Sequence, residues 1–170
     1  MRYLGMVVFL VLAFCVLAMA QSAEDWADKG FNATDPELKI EYYTKAIGLD
    51  PEYAKAYNNR GWAYYLMGDY TRALEDVTKA LTYVDADDVD TLSGTLGTRA
   101  NIYRELGRYD EAMKDVEKQI ELVPEYNWAY YTRGQIYRDM GEVEKARADF
   151  TKACEMGKAE ACDAVYGLGD

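Results

Sequence analysis

The chain has 170 residues, a formal charge of −11 and no histidine. That charge excludes a nucleic-acid partner, because a phosphate backbone is held by clustered Lys and Arg and repelled by an acidic surface. The missing histidines remove the commonest general base and metal ligand, so His-based triads and His-based zinc sites are excluded as well.

At the N-terminus Met1 and Arg2 form a short basic start, Tyr3 to Leu17 are almost wholly apolar, and Ala18-Met19-Ala20 offers small residues where a signal peptidase reads them. The pattern predicts a signal peptide over residues 1–20, cleavage after Ala20, and an exported protein, periplasmic or secreted. A membrane is expected to be touched only through this segment, as an uncleaved anchor. Cys15 falls inside it. Residues 21–170 are then one domain's worth of chain, with 18 basic and 30 acidic residues and a charge of −12.

Residues from Trp26 to Phe31 leave room for only a short helix, and Glu41-Tyr42-Tyr43-Thr44-Lys45-Ala46-Ile47 through Asp50-Pro51 reads as a longer one ending in a turn. A pattern then repeats. Tyr57-x-x-Arg60-Gly61-x-x-Tyr64 returns as Leu96-x-x-Arg99-Ala100-x-x-Tyr103 and as Tyr130-x-x-Arg133-Gly134-x-x-Tyr137, each followed at matching distance by Gly68, Gly107 or Gly141. Ala73-x-x-x-Val77, Ala112-x-x-x-Val116 and Ala146-x-x-x-Phe150 keep one offset from those glycines. The extra residues between the first two copies fall in the acidic stretch Asp85 to Asp90, which lengthens a turn or the next helix.

The repeated types describe antiparallel helix pairs. Gly61, Ala100 and Gly134 sit where a first helix crosses its partner, Ala73, Ala112 and Ala146 face them, and Tyr64, Tyr103 and Tyr137 are expected to close the contact as core. Gly68, Gly107 and Gly141 end first helices, where a left-handed residue satisfies orphan carbonyls without a Cβ penalty. Pro51 and Pro124 mark turns between repeats.

On these residues, and on the 34-residue spacing of the last two copies, the chain resembles the tetratricopeptide-repeat family. The resemblance implies an all-α fold, a right-handed α-solenoid of antiparallel helix pairs. Its repeats would lie at about 23–53 (degenerate), 54–87, 93–126 and 127–160, with a short cap at 158–167. Departures are Lys39 where the family has Ala, Gln119 where Ala46, Ala80 and Ala153 stand, and Arg before each small crossing residue.

In this family the first helices line a concave groove, which implies groove positions for Lys55, Asn58, Trp62, Tyr65, Asn101, Arg104, Trp128, Tyr131, Gln135 and Arg138. Asn59 fits one position of the family's carboxylate clamp, but Gly94, Thr98, Trp128 and Thr132 stand where later repeats would need basic residues. Aromatics with interleaved Arg and Asn have the composition of a recognition surface. The expected function is therefore protein–protein interaction, an adaptor or assembly factor binding a protein or peptide segment, with a self-associating envelope scaffold as the alternative. No nucleophile has a base beside it and no metal set is present, so neither an enzyme nor a cofactor is expected.

The segment Lys152 to Cys162 resembles the repeat junction of secreted, cysteine-rich Sel1-like-repeat proteins, which implies a disulfide between Cys154 and Cys162. The alternative is that Cys154 is a small core residue and Cys162 unconnected to it.

Overall fold

A computed structural model describes residues 21–168; the expected signal peptide and Cys15 lie outside them. Among the described residues the secondary structure is nine helices: α1 Ala23–Asn32, α2 Pro36–Leu49, α3 Ala54–Leu66, α4 Tyr70–Tyr83, α5 Val89–Glu105, α6 Tyr109–Leu122, α7 Asn127–Asp139, α8 Val143–Glu155 and α9 Ala159–Gly167. Their starts are chemically marked. Ser22 and Asp25 form a reciprocal capping box on α1, and the bonds from Ser22, its backbone N–H first, hold the Asp25 carboxyl below its usual pKa. Asp35 accepts from the Glu37 and Leu38 amides at the start of α2, where Pro36 pre-sets the first turn. The acidic stretch supplies another cap: Asp88 accepts from the Thr91 amide and hydroxyl at the start of α5.

Helix ends follow a single device. Gly68, Gly107 and Gly141 have φ of +76°, +69° and +79°, and the following amides of Asp69, Arg108 and Glu142 donate back to the Tyr64, Tyr103 and Tyr137 carbonyls at 2.9, 2.8 and 2.8 Å. This closes each first helix and reverses the chain into the second. Gly157, at φ +88° with Lys158 donating to the Ala153 carbonyl, repeats the device before α9. Helices therefore pair as α1/α2, α3/α4, α5/α6 and α7/α8, with α9 on α8, and α5 also touches α3 and α7, so the first helices share one surface. The result is an α-solenoid.

Close approach explains the small residues. A Cβ on Gly134 would stand 2.7 Å from the Phe150 ring, and one on Gly61 would stand 2.8 Å from Val77. Gly30 does the same for the first pair, where a Cβ would meet the Tyr43 ring at 2.7 Å. Lys29-Gly30 thus stands in the register of Arg60-Gly61, and α1 is a first helix shortened at its end. Tyr43 is buried there, and desolvation pushes its phenol pKa up to about 12.

Two sequence expectations need correction. The third repeat begins at Val89, not at residue 93, because the inserted residues extend α5 to 17 residues against 13 in α3 and in α7. Tyr64, Tyr103 and Tyr137 are half-buried, not core: each packs at a cluster's edge with a basic side chain from the next helix over its ring, Arg72 and Arg108 at 4.5 Å and Lys145 at 5.2 Å.

The Arg before each small residue is a structural element. Arg60, Arg99 and Arg133 reach across their own helix pair to Asp76, Asp115 and Asp149, each pair making two hydrogen bonds of 2.6–2.8 Å. The carboxylates are 6–9 % exposed, so the charges are matched fork to fork inside the stack. The Asp115 hydrogen bond, outweighing burial, holds the Arg99 guanidinium above its ordinary pKa. Gln119, in the place of an alanine, inserts into α5: its Nε2 donates to the Ser93 carbonyl at 2.9 Å, and the missing side chain at Gly97 makes room, since a Cβ there would stand 2.5 Å from that nitrogen.

Candidate functional site

Because successive first helices lie side by side, residues on their outer face converge on one cleft of about 290 Å³. Its walls are Trp62 of α3 and Trp128 of α7, with Tyr126 at one end. Its floor is α5, lined by Gly94, Gly97 and Thr98, with open space where Gly94 lacks a side chain and Gln119 packed over Gly97, and Asn58 and Asn101 supply polar atoms. The two indoles are 39 % and 48 % exposed, large apolar surface that packing alone does not use up. Trp62 stacks on Tyr65 with centroids 4.8 Å apart, one turn along the same helix.

Trp128 is held differently. The Lys158 ammonium lies 3.2 Å from its ring centroid and 5.3 Å from that of Tyr131, and it pairs with Glu160 at 2.6 Å. Lys158 is only 4 % exposed. Its loop is anchored again where the Asn127 amide donates to the Met156 carbonyl at 3.0 Å. Cys154, at the end of α8, and Cys162, in α9, flank this loop with Sγ atoms 1.99 Å and Cα atoms 4.8 Å apart. The C-terminal cap thus grips the outermost aromatic of the cleft.

Of the residues expected in the groove, Asn58, Trp62, Asn101 and Trp128 come together in the cleft. Lys55 and Arg138 are exposed, beside carboxylates of Asp88 at 3.8 Å and Asp139 at 3.5 Å. Tyr65 donates to Glu105 at 3.4 Å, and Gln135 is half-buried on α7. Three positions turn out to be structural. Arg104 bridges α5 to α7 through Asp139 at 2.7 Å and also pairs with Glu105; although burial works against its charge, the Asp139 hydrogen bond leads the effects that hold its pKa above the ordinary value. Asn59 lies beside the buried phenol of Tyr43. Tyr131 packs on Phe150 at 5.6 Å, among the core residues of the last pair.

The sequence reading set Gly94, Thr98 and Thr132 at clamp positions without counting them as anchors, and did not place Gly97, Gln119 or Tyr126 on the cleft, nor Lys158 against it. Gly94 and Gly97 stand six and three residues before Ala100, as Lys55 and Asn58 stand before Gly61, and could have been found from that spacing. No local pattern points to Lys158, whose partner lies 30 positions away. A second depression of about 530 Å³ lies at the inter-repeat turns, lined by Glu24, Asp50, Glu52, Asp85 and Asp88 together with Lys55. No group of three or more His, Cys, Asp or Glu among the described residues is arranged to hold a metal ion.

Family models described as "Tetratricopeptide repeat" match residues 54–83 and 129–159, and one described as "TPR repeat" matches residues 100–141, together just over half of the chain. Tetratricopeptide repeat protein 36 of Xenopus tropicalis is 34 % identical over 117 residues, which are 64 % of this chain and 55 % of that protein. The chain thus spans about half the length of the curated relative it matches. Among solved structures, the Cut9–Hcn1 hetero-tetramer of the APC/C superposes with a TM-score of 0.81 at 15 % identity, over 94 % of this chain and 32 % of that one, a likeness of fold. The second repeat domain of human RPAP3, solved in complex with the HSP70 peptide SGPTIEEVD, superposes with a TM-score of 0.57 at 25 % identity, over 67 % of this chain and 92 % of that one. Repeat spacing, helix pairing and these matches agree, and the chain belongs to the tetratricopeptide-repeat family.

Proposed function

We propose that this chain is an exported protein-interaction module that holds a segment of a protein partner in its concave cleft. The observation that carries the reading is the pair of exposed indoles, Trp62 and Trp128, lining one cleft together with residues of α5. Rigid aromatics on a preformed surface bury area at little entropic cost, which is how a few residues carry most of an interface's energy. The RPAP3 domain holding a peptide is the same kind of scaffold at work.

Trp62 gives the cleaner test, because Trp128 is also the seat of Lys158. Trp62→Ala is expected to leave the melting temperature within a few degrees of the parent while weakening a captured partner by about 2 kcal/mol. A large fall in melting temperature would make Trp62 a packing residue and remove the main anchor.

Export to the periplasm or the cell exterior rests on the apolar start and on the cysteine-rich, Sel1-like junction. One measurement reads both. The intact mass of the protein recovered outside the cytoplasm is expected to begin at Gln21 and to be two hydrogens lighter than the dithiol, reporting a Cys154–Cys162 bond. A mass that includes residues 1–20, or two free thiols, would defeat the corresponding half of the reading. The bond would stabilise the terminal cap by roughly 2 to 3 kcal/mol.

A further inference from the structure

We infer that the segment this cleft accepts is basic, with an arginine side chain seated between Trp62 and Trp128; the inference rests on the function proposed above. Hydrogen-bond accounting in the cleft gives the first reason. Three of its donors are already engaged within the protein: the Thr98 hydroxyl donates to the Gly94 carbonyl at 3.0 Å, the Asn101 amide to the Gly97 carbonyl at 2.9 Å, and the Gln119 amide to the Ser93 carbonyl at 2.9 Å. Two acceptors are left without a partner of their own. Asn58 Oδ1 is buried and unpartnered, and Asn101 keeps a side-chain oxygen beyond its one bonded amide nitrogen. A carboxylate brings only acceptors and would leave these oxygens unpaired; a guanidinium brings five N–H donors.

Charge is the second reason. No residue lining the cleft is charged, and the nearest cations are committed: Arg104 to Asp139 and Glu105, and Lys158 to Glu160 and the Trp128 face. One helical turn before Asn58, on the same face of α3, Lys55 opens onto the depression that it lines together with five carboxylates. A basic segment lying along α3 would place further Lys or Arg there, with the charge of −11 steering its approach. The third reason is aromatic. Indole faces attract cations, and Trp128 already holds one in the form of Lys158. Because both indoles remain open to water, a guanidinium seated between them keeps part of its hydration.

The acidic peptide of the RPAP3 complex has the opposite character, SGPTIEEVD ending in carboxylates. This cleft is expected to refuse such a sequence.

The test is selection of short random displayed peptides on the immobilised chain, followed by calorimetry of the recovered sequences. Enrichment of Arg, with binding weakened at least roughly tenfold by Asn58→Leu and by Trp62→Ala, supports the inference. Enrichment of Asp or Glu, or of uncharged sequences, at the same two residues would overturn the basic specificity and leave the groove function standing. Recovery of peptides indifferent to both substitutions places binding elsewhere and overturns the inference, and recovery of none overturns the groove function itself. Unchanged circular-dichroism melts are required of both variants; should Asn58→Leu fail to fold, Asn58→Ala replaces it.

Discussion

Asp115→Ala is expected to lower the unfolding free energy by about 3 to 5 kcal/mol, among the largest single-residue effects in this chain. The substitution removes both acceptors of Arg99, leaving a guanidinium largely enclosed between α5 and α6 without a counter-charge. The loss is mostly the cost of that stranded charge and not the net worth of the pair, because desolvating two ions offsets much of their attraction. The double variant Arg99→Met with Asp115→Leu is therefore expected to recover most of the stability. Urea unfolding of the two single variants and the double separates these cases. If the double variant is as unstable as Asp115→Ala, the stranded charge is not the cause. Since this pair lies in the middle of the stack, its loss should loosen both neighbouring repeats.

The second large effect is expected at Phe150, whose side chain is fully buried against Gly134 and Tyr131. Phe150→Ala should cost about 3 to 5 kcal/mol, the transfer free energy of the ring plus the cavity it leaves. Its reach should differ from that of Asp115→Ala. The last pair has a neighbouring pair on one side only, so hydrogen exchange should show protection lost in α7, α8 and α9 while α3 and α4 keep theirs. Uniform loss along the chain would mean that the stack unfolds as one unit. Phe150 also supports Tyr131 and, through Lys158, the seat of Trp128, so the same variant should weaken partner binding without removing a cleft residue.

Some of this was legible in the sequence and some of it was present there but unread. Gly68, Gly107 and Gly141 announced the helix ends, because a left-handed residue is a local requirement that a glycine meets. Asp76, Asp115 and Asp149 each follow their arginine by 16 residues, a spacing as regular as the glycines. That pattern was visible, and its meaning depended on knowing that the two helices fold back to bring those positions together. The Lys29-Gly30 dipeptide likewise carried the register of the first pair, hidden because α1 ends three residues sooner after its glycine than α3 does.

By itself the sequence determined what local chemistry determines: helices, caps, reversals and the period at which they repeat. It also placed Trp62 and Trp128 on first-helix faces, since helical spacing alone orders residues around an axis. Only the tertiary structure decided which polar residues remained open for use. Asn58 and Asn59 are adjacent and identical in type, yet one ends with a bare oxygen in the cleft while the other lies beside the Tyr43 phenol. Arg104 was spent on Asp139, 35 residues along the chain, and Lys158 reached Trp128 from beyond the last full repeat. The reason is physical: a side chain's own spacing sets where it points, but its free valences are fixed by partners that only the stacking of successive repeats brings within hydrogen-bond distance.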